Sequence, residues 1–154
     1  VNINDLLEQI MKRLQPIADK QQVELVLESF RPVTAEIDEV KLTLAFTNLI
    51  ENAIKYNDNE TGGYVHVSLN ADHQYFYLKV EDNGIGIPPA SQSRVFERFY
   101  RVDKARSRAA GGTGLGLSIV SDTVRRQGGT VEAANRPGGG AVFTVRWSAE
   151  EGEA

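Results

Sequence analysis

The sequence predicts an α/β fold, a mixed sheet with helices packed on one face. Three observations predict it. Leu42, Phe46, Leu49, Ile50 and Ala53 share one arc of a helix at about 100° per residue. Val65, Val67 and Leu69, then Phe76, Leu78 and Val80, alternate at a period of two on either side of a polar stretch, as the strands of a hairpin do. The remaining patterned segments group strands and interleave them with a few long helices, which suits a mixed sheet covered by helices.

The elements follow in order. Asn2 or Asn4 caps a first helix carrying Leu6, Leu7, Ile10 and Leu14, with Asp5 near its positive end. Pro16 kinks or divides it. Val23 to Leu27 alternates with a β-branched bias and reads as a strand; Thr34 to Ile37 reads as a short second one. Asp38 caps the Leu42 helix, which ends near Tyr56. A polar loop, Asn57 to Gly63, leads into the hairpin, whose turn is Asn70 to Gln74. Leu117, Val120 and Val124 have the spacing of a third helix, with Arg125 and Arg126 at its negative end and Gly128 at C′. Val131 to Ala133 and Ala141 to Arg146 close the sheet around the turn Pro137 to Gly140.

At 154 residues the chain suits one domain, residues 1–148, with residues 149–154 a frayed tail. Its 41% apolar and 25% charged residues are those of an ordinary globular protein. A net charge of −4 argues against nucleic acid as partner, and the lack of cysteine excludes disulfides and thiolate metal sites. No apolar run approaches the roughly 18 residues of a membrane span, so direct membrane insertion is not expected. The chain opens at Val1 straight into a helical pattern, as a piece of a longer polypeptide would.

Three features carry chemistry. Asn48, Asn52, Lys55 and Tyr56 fall within an arc of roughly 100° beside the apolar face of their helix. Amide oxygens, amide donors and an ammonium there suit a magnesium–phosphate group better than a core. Two glycine clusters reinforce the reading. Glu81 to Pro88, with Asp82, Gly84, Gly86 and Ile87, leaves the end of a strand and precedes a short helix that Pro88 or Pro89 starts. Gly111 to Leu117 runs directly into the third helix, where backbone N–H groups favour anions. Neither cluster is a P-loop, since Leu117 follows Gly116 where a lysine is required. Neither is a dinucleotide fingerprint, since Pro89 and Ile119 stand where the third glycine should be. Between the clusters, Arg94, Arg98, Arg101, Lys104, Arg106 and Arg108 are opposed only by Glu97 and Asp103. Flanked by glycine loops, this run reads as a mobile lid whose cations meet phosphate oxygens.

The order Asn48, Asn52, Lys55-Tyr56, then Asp82-x-Gly84-x-Gly86-Ile87, then Phe96-Glu97-Arg98-Phe99, then Gly112-Thr113-Gly114-Leu115-Gly116-Leu117 resembles the N, G1, F and G2 boxes of sensor histidine kinases. The resemblance is to their catalytic, ATP-binding domain, and it runs from the first helix to about Arg146. It implies the two-layer α/β sandwich of the Bergerat type, shared with gyrase-type and MutL-type ATPases of the GHKL superfamily. It further implies that ATP and Mg²⁺ are the cofactors. Asn52 would hold the metal, with Asn48 supporting the metal and phosphate group; Lys55 would reach the phosphates and Tyr56 would line the base or ribose. Asp82 would accept from the adenine amino group, Gly84 and Gly86 would let the chain pass close to the base, and Ile87 would offer apolar contact. Gly112, Thr113, Gly114, Leu115, Gly116 and Leu117 would wrap the phosphates, and Arg98 or Arg101 would meet the terminal one.

Asn48 separates kinase from hydrolase. Gyrase-type relatives place a glutamate base there, and an amide cannot take a proton from water at neutral pH. Glu51 adjoins Asn52 in sequence but lies about 100° away around the helix, facing elsewhere. The acceptor histidine is not in this chain: His66 and His73 fall in the hairpin, in a strand and its turn, and read as structural. The resemblance thus implies transfer to a histidine on upstream dimerisation helices, an indirect response-regulator partner, and a monomeric cytoplasmic domain of a membrane-anchored parent. Two other readings are an anti-sigma-type serine kinase on the same scaffold and a regulatory module that binds nucleotide without transfer. The complete Phe96 to Phe99 box and the Gly112 to Leu117 loop favour the histidine kinase. Ala141 departs from the threonine that relatives often carry near the adenine.

Overall fold

The computed structural model describes residues 2–29, 33–34, 38–57, 62–72, 75–87, 91–92, 94–97 and 116–148. Among them are helices α1 (Ile3–Lys20), α2 (Glu39–Lys55) and α3 (Gly116–Arg126) and strands β1 (Val23–Ser29), β2 (Gly63–Ala71), β3 (Tyr75–Asp82), β4 (Thr130–Asn135) and β5 (Ala141–Ser148). The sheet order is β1-β2-β3-β5-β4. β1 and β2 are parallel and the other pairs antiparallel, so the sheet is mixed as expected. The parallel pair needs a crossover, and α2 provides it.

The helix ends follow local chemistry. Asn2, not Asn4, caps α1 by accepting the Asp5 N–H at 3.0 Å. Asn4 instead accepts the Val33 N–H at 2.7 Å and donates to Ser29 Oγ, fastening the helix start beside the end of β1. Pro16 neither divides nor ends α1, which runs on to Lys20. It sits on the exposed side, where a carbonyl that loses its N–H partner can take water instead. Asp38 caps α2 by accepting the Lys41 N–H at 3.1 Å, as read from the sequence. α3 ends in a Schellman motif at Gly128: Gly129 N–H donates to Val124 O at 2.9 Å and Gly128 N–H to Arg125 O at 3.0 Å.

The strands run longer than their sequence patterns, because ladder pairing continues past the apolar residues. β2 reaches Ala71, so Asn70 belongs to the strand and not to the turn. Of the expected strand at Thr34 to Ile37, Thr34 makes one isolated antiparallel bridge to Asn2, and 35–37 lie outside the described residues. The expected tail, 149–154, lies outside them too.

One sheet face is buried in matched rows. Val67 stands opposite Val80, Leu69 opposite Leu78, Val80 opposite Phe143, Leu78 opposite Val145 and Phe76 opposite Trp147. Against this face lie the apolar stripes of the helices, with α2 packed on α1, α3, β2 and β3. Trp147 joins the layers, stacking on Phe76 at 4.9 Å and meeting the edge of Phe46 from α2 at 5.6 Å. Each such side chain contributes about 1.5–3 kcal/mol by leaving water. The alternate residues Tyr64, His66, Ser68, Tyr75, Tyr77 and Lys79 are half-buried or exposed, as the uncovered face of a two-layer sandwich requires.

Candidate functional site

β3 carries Phe76, Leu78, Val80 and Asp82 at alternate positions, so Asp82 continues the buried row and stands opposite Val65. A carboxylate ends a line of core side chains. It is 6% exposed. Burial pushes its pKa above the ordinary carboxylate value, partly offset by the backbone N–H groups of Gly84 and Ala141 and by the charge of Arg136. The Gly84 N–H donates to Asp82 Oδ1 at 2.8 Å and the Ala141 N–H, more weakly, to the same atom at 3.4 Å. At Ala141 the backbone thus approaches Asp82, whatever the side chain.

Beyond Asp82 the loop is fastened on two sides. On the α2 side, Ile85 N–H donates to Tyr56 O at 3.4 Å. A Cβ on Gly84 would stand 2.7 Å from that oxygen and 2.9 Å from Asn57 Cα, so only glycine permits this approach. Asn83 Oδ1 accepts from Tyr64 N–H and Asn57 Nδ2, both at 2.9 Å, while its Nδ2 donates to Gly62 O at 2.9 Å. On the other side, the Asn135 amide holds both backbone groups of Ile87, accepting its N–H and donating to its carbonyl, each at 2.7 Å. Ile87 is buried.

The end of α2 therefore meets the loop after β3 at Tyr56 and Asn57, which puts the C-terminal end of the stripe next to the Asp82 loop. Asn48, Asn52, Lys55 and Tyr56 are all half-buried along the helix border. Neither Asn48 nor Asn52 is hydrogen-bonded through its carboxamide to another of the described residues. A half-buried amide oxygen left so is a hard donor of the kind Mg²⁺ prefers, and the residues present fit the metal that the sequence implied. Lys55 pairs with Glu51 at 3.8 Å. Glu51 thus turns to the lysine edge of the stripe and not away from it, because residues four apart on a helix are neighbours.

Gly116 opens α3, and Leu117 is half-buried behind it. Phe96 packs edge-on against Phe143 of β5 at 6.1 Å, and Glu97 pairs with Arg94 at 3.2 Å. Arg98, Arg101, Gly112, Thr113, Gly114 and Leu115 lie outside the described residues, as do His73 and the expected lid beyond Glu97. His66 lies on β2, bonded through Nε2 to Glu28 Oε1 at 2.9 Å. Among the described residues no group of three or more His, Cys, Asp or Glu is placed to hold a metal, and no helix is long and apolar enough to cross a membrane.

Sequence reasoning missed Asn57, Asn83, Asn135 and Gly140. The backbone at Gly140 has φ of +95°, and a Cβ there would overlap the Asp82 carbonyl oxygen and stand 2.7 Å from Asn83 Cα. The Pro137 to Gly140 stretch had signalled a turn, but nothing in it signalled what the turn leans on.

The family described as histidine kinase-, DNA gyrase B- and HSP90-like ATPase matches residues 37–151. Over 145 residues the chain is 39% identical to the sensor-like histidine kinase SenX3 of Mycolicibacterium smegmatis, covering 94% of this chain and 37% of that protein. It is 45% identical over 116 residues to the sensor histidine kinase WalK of Bacillus subtilis, covering 74% of this chain and 19% of that one. Among solved structures, the mycobacterial sensor histidine kinase MprB superimposes with a TM-score of 0.82 at 28% identity, covering 96% of each chain. The ATP-binding domain of PrrB from Mycobacterium tuberculosis does so with a TM-score of 0.78 at 26% identity, covering 98% of this chain and 96% of that one.

Proposed function

This chain belongs to the family of histidine kinase-, DNA gyrase B- and HSP90-like ATPases, and from that premise we propose that it binds Mg-ATP and supplies the γ-phosphoryl group to a histidine on a separate helical domain. The observation that carries this reading is the meeting of the α2 stripe with the Asp82 loop through Tyr56, Gly84 and Ile85. Asp82 accepts from the adenine amino group, whereas guanine would present a carbonyl to the same oxygen. Ile87 contacts the base, Tyr56 lines the base or ribose, and Lys55 exchanges Glu51 for phosphate. Asn52 would hold Mg²⁺, with Asn48 beside it, and a metal held there would supply charge neutralisation at the phosphate oxygens.

The acceptor nitrogen attacks the γ-phosphorus, the bond to the bridging oxygen breaks, and ADP leaves. Within this domain the chemistry is positioning and charge stabilisation. Asn48 cannot act as a base toward water, which supports transfer over hydrolysis. SenX3 and WalK are histidine kinases of which this chain spans a minor share, which supports an acceptor in another domain of the parent. In this proposal the domain works in the cytoplasm, monomeric when isolated, within a membrane-anchored parent that passes the phosphoryl group to a response regulator.

Labelled ATP tests it. Alone, the chain binds ATP with micromolar or weaker affinity, about −8 kcal/mol or less favourable, hydrolyses it very slowly and takes up no label. Joined to its upstream helices, it labels a histidine there. Brisk turnover by the chain alone, or stable label on His66 or His73, would refute the proposal.

A further inference from the structure

We propose that Asn135, at the end of β4, is a positioning residue of the nucleotide site, setting the base pocket by holding Ile87 in place; the inference rests on the nucleotide-binding reading above. Asn135 pairs with Ala141 at the turn end of the β4–β5 hairpin, in the inward row that also holds Ala133 and Val131. From there its amide meets the Ile87 N–H and carbonyl, each at 2.7 Å. One side chain does for Ile87 what a neighbouring strand would do. The pairing also assigns the amide orientation, since the N–H needs an oxygen and the carbonyl needs a donor.

The surroundings leave the loop little room to move otherwise. At Gly86, φ is +77°, and a Cβ there would stand 3.1 Å from Asn135 Oδ1, so the chain passes closely under the amide. The same hairpin supports the other end of the loop, through Gly140 against the Asp82 carbonyl and the Ala141 N–H near Asp82 Oδ1. Arg136 reinforces it, with its guanidinium donating to Gly139 O at 2.7 Å and 3.9 Å from Glu81. The hydrogen-bonding acceptor at Asp82 and the apolar contact at Ile87 are thus referred to one rigid hairpin. Asn135 itself needs no contact with nucleotide. Its effect is on the distance between two groups that must grip one planar base.

The test compares wild type with Asn135→Ala and Asn135→Asp. Aspartate keeps the shape and the acceptor for Ile87 N–H, but sets a second oxygen against the Ile87 carbonyl. Affinities for ATP, ADP and GTP are titrated with and without Mg²⁺, beside thermal melting. Ile10→Val in the α1 core serves as a control that loosens the fold without touching the site. We expect both Asn135 variants to lose about tenfold in affinity, equally for ATP and ADP and equally with and without Mg²⁺, with a smaller preference for ATP over GTP. The control keeps wild-type affinity and preference. Wild-type affinity and base preference in both Asn135 variants, whatever their melting temperature, would overturn the inference. If alanine prevents folding, the aspartate variant decides. Failure of the wild type to bind ATP would instead overturn the nucleotide-binding reading itself.

Discussion

Asp82 and Val65 are register partners on β3 and β2, so a carboxylate occupies the sheet face that otherwise buries Val65, Val67, Val80 and Leu78. An ionised group there is costly unless hydrogen-bonded, and the two N–H groups that reach it both bond Oδ1. The arrangement leaves Oδ2 with acceptor capacity, which the proposed adenine contact would use.

Under the proposed function, removing that acceptor should weaken nucleotide binding. A lost charge-assisted hydrogen bond corresponds to roughly 1.5–3 kcal/mol, or about 10- to 150-fold. Asp82→Ala should therefore lose affinity for ATP and ADP alike in a direct titration. Unchanged affinity for both would remove Asp82 from the site.

The same burial predicts a pH dependence of stability. The folded pKa of Asp82 is raised, so the folded state holds its proton more tightly than the unfolded chain does. The stability this contributes is fully present below the unfolded value, about 3.9, and is lost as pH rises through the folded value. Asp82→Asn carries no such titration. Its stability relative to wild type should rise as pH increases from about 3 to 8, read from denaturant melts at each pH. A constant or narrowing difference would count against a raised pKa.

Asn52→Ala should weaken nucleotide binding mainly when Mg²⁺ is present. Its carboxamide is half-buried and unpaired among the described residues, which leaves the oxygen for a metal. Affinity in magnesium is compared with affinity in chelator. An equal loss in both conditions would assign Asn52 a structural role.

Two glycines of one turn should differ in their tolerance of alanine. Gly140→Ala meets both a positive φ and backbone atoms of Asp82 and Asn83, so roughly 2–4 kcal/mol of stability should be lost, along with ATP affinity. Gly138 has φ of +89°, and an alanine methyl there would meet nothing within 4 Å. Gly138→Ala should therefore lose only about 1–2 kcal/mol and leave affinity intact. Urea melts and ATP titration of the two variants decide; equal losses would deny Gly140 its special contact.

Much of the scaffold was legible because its causes are local. The Asp38 cap, the Gly128 stop and the alternation of β2 and β3 each arise within a few residues, so a linear reading finds them. The polar stripe on α2 was legible for the same reason, since helical periodicity alone puts Asn48, Asn52, Lys55 and Tyr56 on one border. Asp82 was found through the turn chemistry that follows it.

What the linear reading could not supply was partnership across the chain. Asn2 and Asn4 are equivalent caps by composition; only the approach of Val33 and Ser29 gives Asn4 another task. Pro16 is a helix breaker by propensity, overruled by a core that buries Leu14 and Ala18 on either side of it. Asn135 and Ile87 lie 48 residues apart, and Gly140 leans on Asp82 from a different hairpin. By itself the sequence determined most of the elements, the burial of their faces and the residue types of the proposed Mg-ATP site. Tertiary structure decided which backbone those residues hold, because amides, carbonyls and glycines carry no address and acquire their partners only when the sheet order sets β5 between β3 and β4.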